Sequence, residues 1–184
     1  NEFVRRFYPQ LTRKALIIDV RGNGGGNVSP MIIERLRREM HLVSIMRNGP
    51  PQPNPTDQLV GPKVTLLNEY SASDGDLFPY RFRAAGLGQL IGKRSWGGTV
   101  GITASLPFVD GGDLRRPEFA PFTPDGKTWA IEGHGVDPDI IVDNDPAREF
   151  KGEDQQLDKA IDVIIEELKT KEVTLPNPPP FPVR

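Results

Sequence analysis

Short runs of consecutive apolar residues recur along the first half of this chain, each bounded by turn-forming residues. Such runs are typical of strands that are covered on both faces of a sheet. They predict strands at residues 15–20, 42–46, 64–68 and 90–92. Weaker β patterns follow at residues 97–109, 129–132 and 139–142, with a turn predicted at 110–112.

Segments with helical periodicity separate these strands. The first helix is expected to have Ser29 as its N-cap and Pro30 at its first position. Its predicted apolar stripe consists of Met31, Ile32, Leu36 and Met40. A second helix is predicted over residues 73–85, and a third over 153–171 with an apolar face of Leu157, Ile161, Ile164, Ile165 and Leu168. Strands that alternate with helices indicate an α/β domain with a largely parallel sheet flanked by helices.

Proline marks two segments that fit neither pattern. Residues 48–55 are too rich in proline for a helix or a central strand and are predicted to form an exposed loop. Residues 175–184 contain five prolines and predict an extended tail, which divides the chain into a domain at 1–172 and a tail at 173–184. The chain begins with Asn1 rather than methionine, in what looks like the middle of an element, so we expect a fragment of a longer polypeptide.

The composition narrows the possible functions. A net charge of −2 gives no reason to expect nucleic acid or an anionic membrane as a partner. The absence of cysteine excludes thiolate catalysis and cysteine-ligated zinc. Pro138 and the apolar residues 140–142 interrupt the acidic residues between 137 and 145, so we expect neither a calcium loop nor any other metal or cofactor. No segment has the length and apolarity of a membrane span, and no signal peptide is visible.

The segment from Asn68 to Asp76, Asn-Glu-Tyr-Ser-Ala-Ser-Asp-Gly-Asp, carries the clearest chemical signal. It connects a predicted buried strand to a predicted helix, and a serine in such a turn is lifted to the end of the sheet beside the first helical amides. Ser73 is a better candidate nucleophile than Ser71, because a helix starting after Ser73 places the Asp74 amide beside its hydroxyl. A serine before a helix is also a common N-cap, and the residues alone leave that interpretation open.

A glycine-rich turn, Gly22-Asn23-Gly24-Gly25-Gly26, follows the first strand. It lacks the Lys-Ser or Lys-Thr of a phosphate-binding loop, and Asn27 stands where a dinucleotide-binding motif needs its third glycine. Its uncovered backbone amides suit a carboxylate or a developing oxyanion, although a closely packed turn explains the glycines equally well. The two histidines, His41 and His134, are interpreted as a residue near a helix end and a solvent-facing turn residue.

Four segments in this order resemble the tricorn-type serine peptidases, within the family that also includes the tail-specific (C-terminal processing) peptidases. They lie at 16–26, 68–75, 92–98 and 132–139, and the last reads Glu132-Gly133-His134-Gly135-Val136-Asp137-Pro138-Asp139. The resemblance implies a crotonase/ClpP-like α/β fold with Ser73 as nucleophile. It also implies that Glu132 orients an upstream serine, and that Gly25 or Gly26 shares an oxyanion site with the Asp74 amide.

The general base is the part of this pattern that the chain lacks. In tail-specific peptidases a lysine serves as base, but the corresponding place here, around Gly97-Gly98-Thr99, has none, and Lys93 comes several residues too early. In the tricorn-type pattern the base is a histidine of a Ser-His pair in an earlier domain, before an inserted PDZ domain. The resemblance therefore implies an isolated subdomain that is inactive or nearly so. It further implies a cytoplasmic homo-oligomer, a hexamer, that cuts peptides downstream of the proteasome.

Three other functions stay open at this level. A non-catalytic module of the same fold would bind peptides or other ligands, or support assembly. A crotonase-type acyl-CoA enzyme would share the fold and the oxyanion site but would not need a serine at the helix start. A self-contained peptidase would use Lys93 or His134 as its base. Residues 41–48 contain no acidic residue that would define a substrate pocket, so no cleavage preference is predicted.

Overall fold

The computed structural model describes residues 2–171, 173–180 and 183, with the backbone alone for 103–106. Five α-helices are described: α1 (Glu2–Phe7), α2 (Ser29–Leu36), α3 (Asp74–Ala84), α4 (Pro146–Glu149) and α5 (Gln155–Lys171). The described strands are β1 (Leu16–Asp19), β2 (Leu42–Ile45), β3 (Pro51–Asn54), β4 (Lys63–Leu67), β5 (Gly88–Gly92), β6 (Gly101–Pro107), β7 (Asp113–Phe119) and β8 (Ile140–Ile141).

The central sheet has the strand order β1-β4-β5-β8, and all of its pairings are parallel. All five residues of β4 are buried, because the strand lies between neighbours and both faces of the sheet are covered. Helices α1, α2 and α3 cover one face, with Phe78 and Phe82 of α3 in its core. Helix α5 covers the other face through Ala160 and Ile164. The prediction of a largely parallel sheet flanked by helices is confirmed.

The parallel pairing of β1 with β4 decides where the site lies. Asp19 is in register with Leu66, so the two strands end at the same edge of the sheet. The glycine-rich turn leaves that edge after β1, and the serine-containing turn leaves it after β4. Two segments separated by about 45 residues in sequence are therefore neighbours.

Two antiparallel hairpins lie outside the central sheet. Strands β6 and β7 form one of them, which confirms the β pattern at 97–109 for Gly101–Pro107 and the turn after it, whereas residues 97–100 are not part of a strand. The other pairs β2 with β3, so the prediction of a loop over residues 48–55 was wrong for Pro51–Asn54. Proline is accepted in β3 because a two-stranded hairpin leaves one edge of each strand without a ladder.

Helix details differ from the predictions where tertiary contacts outweigh local signals. Helix α2 begins at Ser29 itself, with Val28 as N-cap, and it ends at Leu36, so Met40 lies beyond it. Its buried residues are Ser29, Ile33 and Leu36, while Met31 is exposed. Helix α5 buries Gln156, Ala160 and Ile164, whereas the predicted face residues Leu157, Ile161 and Ile165 are exposed.

Residues 129–132, predicted as a strand, contain no strand, and residues 130–132 form a turn. The described tail residues, 173–180 and 183, are neither helix nor strand. Within the described part of the chain, no helix has both the length and the apolarity needed to cross a membrane. The division into a domain at 1–172 and a tail stays a prediction.

Candidate active site

Ser73 stands at the sharp turn between β4 and α3. Its backbone angles are φ 56° and ψ −115°, a conformation that residues other than glycine rarely adopt. The Ser73 N–H donates to Asp76 Oδ2 at 2.8 Å and to the Gly98 carbonyl at 3.0 Å, so the unusual turn is held from two sides. Backbone strain that the surroundings maintain is characteristic of functional turns, including the nucleophile elbow of serine hydrolases.

Ser71, the other serine of this segment, has a structural contact instead. It is fully buried, and its hydroxyl donates to the Val20 carbonyl at 2.9 Å, which joins the end of β4 to the end of β1. Ser73 is only partly buried, so its hydroxyl is the one of the two that a substrate can reach.

The glycine-rich turn packs directly against Ser73. A Cβ built on Gly25 would lie 3.1 Å from Ser73 Cβ and 3.3 Å from Ser73 Oγ, so a side chain at position 25 would crowd the hydroxyl. The Ala72 N–H donates to the Asn23 carbonyl at 2.8 Å and fixes the start of the turn. The structure therefore brings the glycine cluster and the serine together, as the interpretation of the two motifs requires.

The backbone amides of Asp74 and Gly26, on the two turns that meet at Ser73, have no acceptor among the described residues. Asp74 is the first residue of α3, where an N–H has no partner within the helix. The Gly25 N–H, by contrast, donates to Asn23 Oδ1 at 3.1 Å. Of the two glycines considered for an oxyanion site, Gly26 thus has the unused donor, while Gly25 provides the close approach to Ser73.

The Asp74 side chain has a role that the sequence did not reveal. Its Oδ2 accepts the N–H groups of Val28 and Ser29, each at 2.9 Å, and its Oδ1 accepts the Ser29 hydroxyl. Arg81 approaches Oδ1 at 3.4 Å and also donates to the Ser29 hydroxyl. Asp74 therefore caps α2 from another helix, which explains why Ser29 is not the N-cap that the sequence predicted.

Asp76 is a second carboxylate that sequence reasoning assigned no definite role. It is fully buried, and besides the Ser73 N–H it accepts the amides of Gly97 at 2.8 Å and Gly98 at 3.2 Å. The carboxylate thus joins the nucleophile turn to the segment after β5. Its spacing of three residues after Ser73 matches a capping box, the one local signal that pointed to this contact.

Glu132 lies near the same segment. Its Oε2 accepts the Thr99 N–H at 2.6 Å, the Thr99 hydroxyl at 2.8 Å and the Val100 N–H at 2.9 Å. Partial burial pushes the pKa of the Glu132 carboxyl upward, but these hydrogen bonds outweigh it, so the pKa lies below its ordinary value. The carboxylate is held one residue away from Gly98, whose carbonyl accepts the Ser73 amide.

The candidate bases within the chain are engaged elsewhere. The Lys93 ammonium contacts Glu69 at 2.7 Å and Asp143 at 3.3 Å, and these contacts raise the pKa of Lys93, the opposite of what a general base needs. The exposed His134 ring is 2.7 Å from Asp137. His41 is exposed, and its backbone N–H donates to the Asn54 carbonyl at 3.1 Å beside the β2–β3 hairpin.

A lysine at position 98 would not fit either. A Cβ built on Gly98 would fall 2.0 Å from the Trp96 ring, which occupies the space of a side chain there. Over the described residues, no group of three or more histidine, cysteine or acidic side chains is placed to hold a metal ion. The site therefore consists of a serine, two unused amides and their supporting carboxylates.

Comparisons with known proteins identify the family to which the chain is related. Residues 1–142 match peptidase family S41. The chain is 44% identical over 179 residues to the tricorn protease of Thermoplasma acidophilum, covering 97% of this chain and 17% of that protein. It is 38% identical over 173 residues to tricorn protease homolog 1 of Streptomyces coelicolor, covering 94% and 16%. A crystal structure of the tricorn protease superposes with a TM-score of 0.86 over 92% of this chain and 16% of the other.

Proposed function

This chain belongs to peptidase family S41, and we propose on that premise that it is the serine-bearing subdomain of a tricorn-like endopeptidase. Ser73 attacks the carbonyl carbon of a peptide bond, and a tetrahedral oxyanion forms. The observation that carries the proposal is the meeting of a strained, accessible serine with two amides that have no acceptor among the described residues. A serine that acted only as a helix cap would need neither the strain nor the glycine turn.

The oxyanion is stabilised by the amides of Asp74 and Gly26. Both belong to the two turns that meet at Ser73, and preorganised donors of this kind typically contribute roughly 100- to 1000-fold to the rate each. Gly25 serves the same site without donating, because its lack of a side chain lets the turn approach Ser73.

The base is a histidine from an upstream domain of a longer polypeptide. Lys93 and His134 are already paired with carboxylates, and Trp96 fills the place of a lysine at 98. Glu132 uses Oε2 for its hydrogen bonds, while its Oε1 has no partner among the described residues and is available to orient an incoming serine. By its similarity to tricorn proteases, we extend the proposal to the whole protein. It acts on peptide substrates, contains a PDZ domain, forms a cytoplasmic hexamer and works downstream of the proteasome.

Two reagents test the assignment of Ser73 and of the missing base. We expect a fluorophosphonate probe to label the longer polypeptide at Ser73, and the label to disappear in Ser73→Ala but not in Ser44→Ala, a change at an exposed strand. The 184-residue chain should hydrolyse peptides at a small fraction of the rate of the longer protein. Robust turnover by the short chain that is lost in Ser73→Ala would refute the missing-base account. Absence of labelling in the longer protein would favour a non-catalytic binding module.

A further inference from the structure

The glycine-rich turn is attached to the nucleophile segment at two points, one on each side of Ser73. At its start, the Asn23 carbonyl accepts the Ala72 N–H at 2.8 Å. At its end, the Val28 and Ser29 amides donate to Asp74 Oδ2, each at 2.9 Å. The segment that contains Gly26 is therefore held at both ends by hydrogen bonds to residues 72 and 74.

The second attachment depends on a side chain. Val28, the N-cap of α2, cannot accept a hydrogen bond with its apolar side chain, so the first amides of that helix rely on Asp74. Asp74 is 3% exposed, and a carboxylate is accepted at such depth only when it is well compensated. Here two amides, the Ser29 hydroxyl and the Arg81 guanidinium provide that compensation.

Asp74 also provides one of the backbone amides of the proposed oxyanion site. The Asp74 N–H is one of the two unused amides, and a Cβ built on Gly26 would lie 3.9 Å from Asp74 Oδ2. Through its bonds to Val28 and Ser29, the Asp74 carboxylate thus fixes the distance between the Gly26 backbone and the Asp74 N–H. A change in this contact moves one oxyanion donor relative to the other.

We propose that the Asp74 carboxylate, together with Ser29 and Arg81, is a positioning group that sets the geometry of the oxyanion site. This inference rests on the proposed function, since it needs the amides of Asp74 and Gly26 to receive an oxyanion. It assigns a function to the side chain that is separate from that of the Asp74 amide. Positioning by this group affects the transition state more than the bound substrate, because only the transition state presents a full negative charge to both amides.

The test compares a substrate with a tetrahedral inhibitor in the longer, active polypeptide. Asp74→Asn keeps the amide and the size of the side chain but weakens the bonds to Val28, Ser29 and Arg81. We expect kcat to fall about 10- to 100-fold with KM changed less than about 3-fold, and the affinity for a peptide boronate to fall in proportion to kcat. Ser29→Ala should show the same pattern with a smaller effect.

Matched variants on α3 separate positioning from general disturbance. Arg81→Met removes the cation of the cluster and should lower kcat several-fold. Arg83 lies on the same helix and forms a 2.7 Å ion pair with Asp139, which directly precedes β8. Arg83→Met breaks this ion pair and should leave kcat unchanged. If Asp74→Asn does not fold, Ser29→Ala and Arg81→Met carry the test, since each leaves the carboxylate in place.

Several outcomes would overturn the inference. One is a folded Asp74→Asn protein that keeps wild-type kcat and boronate affinity. Another is an equal loss of substrate and boronate affinity, which would indicate a structural role only. Failure of the proposed function would look different, because wild-type protein would then not be labelled at Ser73 at all.

Discussion

Replacing Asp76 with asparagine should destabilise the domain measurably, and the size of the effect follows from its hydrogen bonds. Oδ2 accepts the amides of Ser73 and Gly98, and Oδ1 accepts that of Gly97. Asparagine keeps two of these bonds if its oxygen takes the Oδ2 place, and its NH₂ group then faces the Gly97 N–H. A lost bond to a charged acceptor costs about 1.5–3 kcal/mol, and buried donors without a partner add about 1–3 kcal/mol.

Allowing for relaxation, we expect Asp76→Asn to lower the free energy of unfolding by about 2–4 kcal/mol. A domain of this size has about 5–15 kcal/mol to lose, so the variant should still fold. Urea unfolding followed by circular dichroism measures the change, with Asp162→Asn on the exposed side of α5 as a control within about 0.5 kcal/mol of wild type. A loss below about 1 kcal/mol in Asp76→Asn would contradict the view that this carboxylate holds the nucleophile turn.

Three further predictions concern the base, the strain and the response to acid. Gly98→Lys should lower the melting temperature slightly, because a Cβ at position 98 would lie 2.0 Å from the Trp96 ring and the ring must move. It should not restore hydrolysis to the 184-residue chain, and a gain of activity would refute the steric argument. Ser73→Gly should be more stable than Ser73→Ala by about 1 kcal/mol in urea unfolding, because glycine adopts the φ of 56° without strain. Equal stabilities of the two variants would mean that the turn is not strained. The bidentate contact of Arg21 holds the pKa of the Asp154 carboxyl below its unfolded value of about 3.9. The ionised Asp154 carboxylate therefore stabilises the fold above that pH, and this stabilisation is lost as the pH falls. The decline of stability below about pH 4 should be shallower in Asp154→Asn, and an unchanged decline would refute the assignment.

The sequence alone determined the elements that depend on local order along the chain. Uninterrupted apolar runs identified the central strands, because a strand buried on both faces needs apolar residues at successive positions. Alternation with helices then indicated a parallel sheet. Ser73 could be singled out because the strand, the small residues and the helix start are all contiguous with it.

Tertiary structure decided which faces and which donors are used. Helix α5 has apolar residues on more than one side, and only its packing on the sheet determines that Ala160 and Ile164 are buried while Ile165 is exposed. Asp74 accepts the Ser29 amide 45 residues away and Asp76 accepts the Gly97 amide 21 residues away, and no local pattern predicts these two contacts. The capping-box spacing predicts only the bond between Asp76 and Ser73. A hydrogen bond is specified by distance and direction, and these arise only when the parallel strands bring both turns to one edge of the sheet.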